Sequence, residues 1–206
     1  MMKLYDFLPS GNGYKVRLTL LHLDIPFEYV EVDILRGESR TPAFLARNAF
    51  GQIPVLDLGD GTCLRQSSAI LVYLADGTPL LPRDRLLRTR VLEWMAFEQT
   101  HVDGVISRAR FRRMFPDVIP TRVEEFAAWH AEGHQALSVL NAHLRERAFL
   151  VDERFTIADV TLYAYTHAAA QGGFDMAPYA ALPAWFERVR AQRGHIAIDE
   201  VPPLGH

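Results

Sequence analysis

Met2-Lys3-Leu4-Tyr5-Asp6-Phe7, then Leu8-Pro9-Ser10-Gly11-Asn12-Gly13, then Tyr14-Lys15-Val16-Arg17-Leu18-Thr19-Leu20-Leu21 open this 206-residue chain. The three pieces read as a short strand, a turn and a helix. A strand that feeds a helix through Pro, Ser, Gly and Asn sets a hydroxyl and a carboxamide beside the free N–H groups of the helix's first turn. Negative charge is stabilised at that place.

Working outward, Phe27 to Val32 reads as a second strand, set off by Asp24-Ile25-Pro26. Thr41-Pro42 starts a short helix, with Thr41 as N-cap and Pro42 in the first helical position. Val55-Leu56-Asp57-Leu58 and Cys63-Leu64-Arg65 flank Gly59-Asp60-Gly61-Thr62, a hairpin in which Asp-Gly supplies positive φ. A helix follows over 67–75. The order β-α-β-α-β-β-α is that of a thioredoxin-like domain. The stretch 77–84, with two prolines and a glycine in eight residues, breaks any helix. Beyond it the periodicity is helical throughout: Leu86, Leu87, Val91, Trp94, Met95 and Glu98 mark one long helix that runs on to Phe115. Further helices are expected over 121–147, 156–167 and 183–192. The expected class is α/β plus all-α: a thioredoxin-like domain over 1–78, a linker over 79–84 and a helical domain over 85–206.

The chain is 49% hydrophobic with a net charge of −3, so it can bury a core and offers no global field for nucleic acid or anionic lipid. The single cysteine, Cys63, cannot form an intramolecular disulfide and suits a reducing compartment. The N-terminus has no secretory pattern, and no apolar run reaches bilayer length. The expectation is a cytoplasmic protein that engages neither membrane nor nucleic acid.

Three motifs carry a resemblance. Gly51-Gln52-Ile53-Pro54-Val55 sets a proline at the entrance of a strand. Gln66-Ser67-Ser68-Ala69-Ile70 sets a serine at a helix N-terminus. Phe155-Thr156-Ile157-Ala158-Asp159-Val160 reads as a capping box, with Phe155 stapling onto Val160. In this order, with the Asp-Gly hairpin between the first two, the chain resembles the cytosolic glutathione transferase family over nearly its whole length. The resemblance implies a cis Ile53–Pro54 bond and glutathione, as co-substrate, held by Gln52, Ile53, Pro54, Gln66 and Ser67. Ser67 would take the γ-glutamyl carboxylate; Gln66, in place of the family's Glu, keeps an acceptor without the charge. It also implies a homodimer.

Glutathione's thiol is mostly protonated at pH 7, so the site must stabilise its thiolate. Ser10 and Asn12 are the candidate donors. Tyr5, on the strand, is expected to face the core. The run Ser10-Gly11-Asn12-Gly13-Tyr14-Lys15 resembles bacterial nu-class-like members, which favour glutathione-linked disulfide reduction. Lys15 adds positive charge if it points inward; read alone, it is a solvated first-turn lysine. With no cysteine in the loop, a mixed disulfide between the protein and glutathione is not expected there, and Cys63 reads as a small hydrophobe.

Phe111, Met114 and Phe115 are the candidates for a hydrophobic substrate site, and the arginines among them suit an anionic substrate or simply the helix end. Asp103, near His101, stands where relatives reach toward a partner's glutathione. His130 and His134 have metal-ligand spacing without further ligands, so a solvated helix face is expected and no metal. The implied activity is a glutathione transferase attacking an electrophile. The alternatives are a disulfide-bond reductase on the same site and a non-catalytic interaction module. The maleylacetoacetate isomerase type expects a serine-rich loop ending in arginine, which Ser10-Gly11-Asn12-Gly13 is not.

Overall fold

A computed structural model describes residues 1–118 and 122–203. They divide into two compact units, one made of residues up to 76 with those from 192 on, the other of the described residues between 77 and 191. The division differs from a single cut at the linker: the last residues return to the first unit instead of staying with the helices. Two buried side chains account for this. Tyr14 Oη donates to the Ile196 carbonyl (2.6 Å), and Arg17 Nη1 donates to the carbonyls of Ile198 (3.1 Å) and Glu200 (3.2 Å).

In the first unit, β1 (Met2–Asp6), β2 (Phe27–Glu31), β3 (Val55–Asp57) and β4 (Cys63–Arg65) form one sheet in the order β2-β1-β3-β4. β1 runs parallel to β2 and antiparallel to β3, and β4 is antiparallel to β3. The parallel pair requires a crossover, which α1 (Gly11–His22) provides. α2 (Pro42–Leu45) is capped by Thr41, and α3 (Ser67–Ala75) follows β4 directly. Val32, Phe44 and Val55 form a buried cluster against which Tyr5, Ile53 and Cys63 pack. The hairpin takes its positive φ at Gly59 and Gly61, while Asp60 Oδ1 accepts from Thr62 N at 2.8 Å.

α1 begins at Gly11, three residues earlier than the glycine-rich sequence suggests. Gly13 is present because of proximity, not because of a turn. A Cβ there would lie 1.5 Å from Asp6 Oδ1, so only glycine lets the first turn of α1 seat on that carboxylate.

The second unit contains α4 (Arg85–Glu98), α5 (Arg108–Met114), α6 (Val123–Leu144), α7 (Ile157–Thr166) and α8 (Leu182–Arg190). Asp84 caps α4 through Leu87 N. Between α4 and α5 the chain widens into a π-helix over Gln99–Ser107, so the long helix expected here is not one regular α-helix. The Ser107 hydroxyl donates to the Asp103 carbonyl inside that segment, and Asp103 and His101 both lie on it. α6 and α8 are a little shorter than expected, and Thr121 lies outside the described residues.

Thr156 and His167 prove to be the caps of α7. The fully buried Asp159 accepts from Thr156 N, Leu150 N and Trp185 Nε1, each at 3.0 Å, tying the start of α7 to α8 and to the preceding loop. Burial pushes its carboxyl up to about 6, against these three donors. Phe155 sets its ring against Phe149 at 5.8 Å.

His130 and His134 do not line a solvated face. His130 Nε2 lies 3.0 Å from the Gly172 carbonyl and His134 Nδ1 2.6 Å from Tyr179 Oη, with Phe174 against both rings. They dock the segment before α8 onto α6. Among the described residues no three His, Cys, Asp or Glu side chains are grouped to hold a metal, and no helix is long and apolar enough to cross a membrane.

Candidate functional site

The loop into α1 and the start of α3 meet at Asn12, and the turn before β3 is the third candidate feature of the first unit. Ser10 is the N-cap of α1; its Oγ accepts from Gly13 N at 3.2 Å and its carbonyl from Tyr14 N at 2.9 Å. An Oγ that accepts in this way keeps its own hydrogen for donation.

Asn12, one residue into the helix, is half-buried. Its Oδ1 receives Lys15 Nζ at 2.7 Å and Ser67 Oγ at 3.1 Å. Lys15 is fully buried, which corrects the reading of a solvated lysine. It stays on the inner face because its ammonium finds the Asn12 oxygen one turn earlier on the same helix.

Ser67 is the first residue of α3, and Gln66 occupies the N-cap position at φ 68°, with no capping bond from its side chain. A non-glycine residue in that region costs about 1–3 kcal/mol and persists where its surroundings hold it. Here the Gln66 carbonyl accepts from Ile70 N at 3.0 Å. Ser67 is buried, whereas the Gln66 side chain is exposed. The next hydroxyl, Ser68 Oγ, is buried without a hydrogen-bond partner.

The turn before β3 carries a cis Ile53–Pro54 bond. Gln52 is exposed, Ile53 half-buried and Pro54 buried. The turn is braced by Asn48, a residue the sequence reading passed over: its Nδ2 donates to the Gln52 carbonyl at 2.7 Å and its Oδ1 accepts from Phe50 N at 3.2 Å. An Asx-type turn was the available signal.

Asp6 and Arg17 were also missed. Both are fully buried, with Arg17 Nε 3.0 Å from Asp6 Oδ2. The contact is off the line of a hydrogen bond, so the attraction is that of an ion pair. Asp6 Oδ1 accepts from Phe7 N at 2.7 Å, and burial pushes its carboxyl up to about 7 although Arg17 opposes the shift. Tyr5 faces inward, edge-on to Phe44 and beneath the Arg47 guanidinium.

In the second unit the ring of Phe111 on α5 lies 5.1 Å, centroid to centroid, from that of Phe115, which caps the helix, and Met114 is exposed. Arg110 is buried, and its Nε donates to Gln171 Oε1 at 2.7 Å.

Residues 1–76 match the family described as glutathione S-transferase, N-terminal domain, and residues 109–193 match glutathione S-transferase, C-terminal domain. The chain belongs to the glutathione S-transferase family. The solved glutathione S-transferase from Pseudomonas fluorescens Pf-5 is 45% identical, superimposes with a TM-score of 0.93, and the match covers 97% of this chain and 99% of that one. The disulfide-bond oxidoreductase YfcG of Escherichia coli is 29% identical over 93% of this chain and 91% of its own length. The maleylacetoacetate isomerase of Rhizobium meliloti is 36% identical over 84% of each. The glutathione S-transferase relationship thus spans both units.

Proposed function

We propose that this glutathione S-transferase family member binds glutathione in its thioredoxin-like unit and stabilises the thiolate with Ser10 Oγ–H and Asn12 Nδ2–H. The thiolate then attacks an electrophilic substrate. The observation that carries this reading is Lys15 against Asn12. An ammonium has no lone pair, so the Asn12 atom 2.7 Å from Lys15 Nζ must be the oxygen. The amide nitrogen therefore points the other way, as a donor. The fully buried ammonium also places positive charge one hydrogen bond behind that donor.

The magnitudes suffice. A hydrogen bond to a charged partner contributes about 1.5–3 kcal/mol, or about one to two pKa units of thiol acidification. The α1 N-terminus adds about 0.3–1 kcal/mol. On the same reading Gln52, Ile53, Pro54 and Gln66 hold the tripeptide, and Ser67 takes its γ-glutamyl carboxylate at the start of α3. Phe111, Met114 and Phe115 line the apolar substrate site, and the active form is a homodimer.

Steady-state kinetics test the assignment. Ser10→Ala and Asn12→Ala each lower kcat, with smaller effects on the KM for glutathione; unchanged kcat in both variants contradicts it.

A second reading, disulfide-bond reduction, is favoured by the nu-class-like run Ser10 to Lys15 and by the similarity to YfcG. The glutathione thiolate attacks one sulfur of the substrate disulfide, and the other sulfur leaves as thiolate. A second glutathione then resolves the mixed disulfide, giving oxidised glutathione and the second substrate thiol. No loop cysteine is needed. Rates on an aryl chloride and on a small disulfide, measured side by side, separate the two readings. The loop lacks the arginine expected of the isomerase type.

A further inference from the structure

We propose that Arg17 is a positioning residue of the thiol site, clamping the loop that carries Ser10 to the C-terminal tail. This rests on the reading of Ser10 and Asn12 as thiolate donors.

Charged side chains pin the loop from Phe7 to Ser10. Phe7 N donates to Asp6 Oδ1, and Leu8 N lies 3.3 Å from both carboxylate oxygens of Glu31. The Leu8 carbonyl accepts from Arg17 Nη2 at 2.6 Å, the shortest contact of that guanidinium. Only Pro9, whose φ its ring fixes, separates Leu8 from Ser10, so holding Leu8 holds the start of α1. Ser10 N in turn donates to the Phe7 carbonyl at 2.7 Å.

The other edge of the guanidinium faces the tail. Arg17 Nη1 reaches the carbonyls of Ile198 and Glu200, and Tyr14, one turn earlier on α1, reaches that of Ile196. Arg17 thus spans Asp6 on β1, Leu8 in the loop and the tail, with its side chain wholly out of water. A lysine cannot substitute, because one ammonium on a flexible stem does not reproduce a planar fork aimed at four separate groups. Gly13 completes the arrangement, since α1 approaches the Asp6 carboxylate without room for a Cβ. The consequence is that the tail belongs to the frame of the thiol site. If the clamp opens, Ser10 loses its placement while Ser67 and the Ile53–Pro54 turn keep theirs.

The test is the pKa of the bound glutathione thiol, read from the ultraviolet thiolate band against pH, in wild type, Arg17→Lys and the double variant Asp6→Asn/Arg17→Met. The double variant removes both buried charges and so avoids leaving one unpaired. We expect the thiol pKa to rise by about one unit and kcat to fall about tenfold in either folded variant, the loss of roughly one charge-assisted hydrogen bond, with the KM for glutathione within twofold. In wild type, native-state hydrogen exchange reads the clamp without any substitution: the amides of Ser10 and Glu200, both hydrogen-bonded, should open together and be slowed alike by glutathione. A wild-type thiol pKa in the folded variants, or independent opening of those two amides, overturns the clamp. Absence of a thiolate band in wild type brings down the thiol-site reading first, and the clamp with it.

Discussion

Lys15 Nζ lies 2.7 Å from Asn12 Oδ1, and both residues belong to the first turn and a half of α1. The contact fixes Oδ1 as the acceptor end of the Asn12 amide and Nδ2 as its donor end, because the lysine can only donate. Lys15→Met removes that constraint and the buried charge while keeping most of the side-chain volume. Its kcat with glutathione should fall about tenfold, the loss of roughly one charge-assisted hydrogen bond. Asn12→Asp should be worse than Asn12→Ala, since it sets a carboxylate against the developing thiolate. Steady-state rates on one electrophile rank the three variants; Asn12→Asp matching wild type contradicts the donor role.

Ser67 and Ser68 are neighbours with opposite standing. Ser67 Oγ donates to Asn12 Oδ1, whereas Ser68 Oγ is buried without a partner. On the proposed reading the single Ser67 hydroxyl hydrogen turns from Asn12 Oδ1 to the γ-glutamyl carboxylate on binding, so Ser67→Ala should weaken glutathione binding about tenfold, the value of a hydrogen bond to a carboxylate. Ser68→Ala should leave binding unchanged and hold or raise the melting temperature, because it removes a desolvated hydroxyl. Calorimetric titration with glutathione and thermal unfolding decide it. Weakened binding in Ser68→Ala would transfer the carboxylate role to that residue.

Gly13→Ala should fail on packing alone. The added methyl would sit 1.5 Å from Asp6 Oδ1 and 2.0 Å from its Cγ, so helix or strand must shift. Overpacking of this kind costs about 1–3 kcal/mol, and here it also strains the Asp6–Arg17 pair. Urea unfolding should show a loss at or above that range. A loss under about 0.5 kcal/mol, the size of an ordinary surface substitution, contradicts the close approach.

Asp6 gives the stability a pH dependence of definite sign. Burial, opposed by Arg17 and reinforced by Glu31, pushes its carboxyl up to about 7, against about 3.9 in an unfolded chain. The folded state therefore binds a proton that the unfolded state has released. The stabilisation from that proton is fully present below the unfolded value and is lost as pH rises through about 7. Relative to Asp6→Asn, wild type should gain stability between pH 8 and pH 5. Urea midpoints at the two pH values measure the difference; a constant gap contradicts the raised carboxyl.

Asp159→Ala should be among the most damaging single changes in the helical unit. It leaves Leu150 N, Thr156 N and Trp185 Nε1 without their acceptor in a fully buried place. Each unsatisfied donor costs about 1–3 kcal/mol. Thermal unfolding should register a loss of several kcal/mol.

The fold was legible where local chemistry repeats a rule. Thr41-Pro42 and Thr156 with Asp159 announce helix starts, Gly59-Asp60-Gly61 announces the hairpin, and the linker prolines separate the two patterns. Ser10, Asn12 and Ser67 are legible as polar side chains at helix starts, and the structure places them there. What the chain order hid were relationships between distant residues. Nothing local distinguishes a buried Lys15 from a solvated one, since its partner side chain and the elements covering it are set by the fold. Arg17 looked like one more charge on a helix; its partners are carbonyls nine and more than 180 residues away. His130 and His134 had the spacing of ligands, yet a tyrosine hydroxyl and a glycine carbonyl complete them. Gly13 resembled a turn residue until Asp6 was seen against it.

The most direct test of the central claim is an ultraviolet difference titration of wild-type protein with glutathione at neutral pH, repeated with Asn12→Ala. The account predicts a saturable thiolate band in wild type that is strongly reduced in the variant at saturating glutathione. Binding without a band, or an undiminished band in Asn12→Ala, contradicts it.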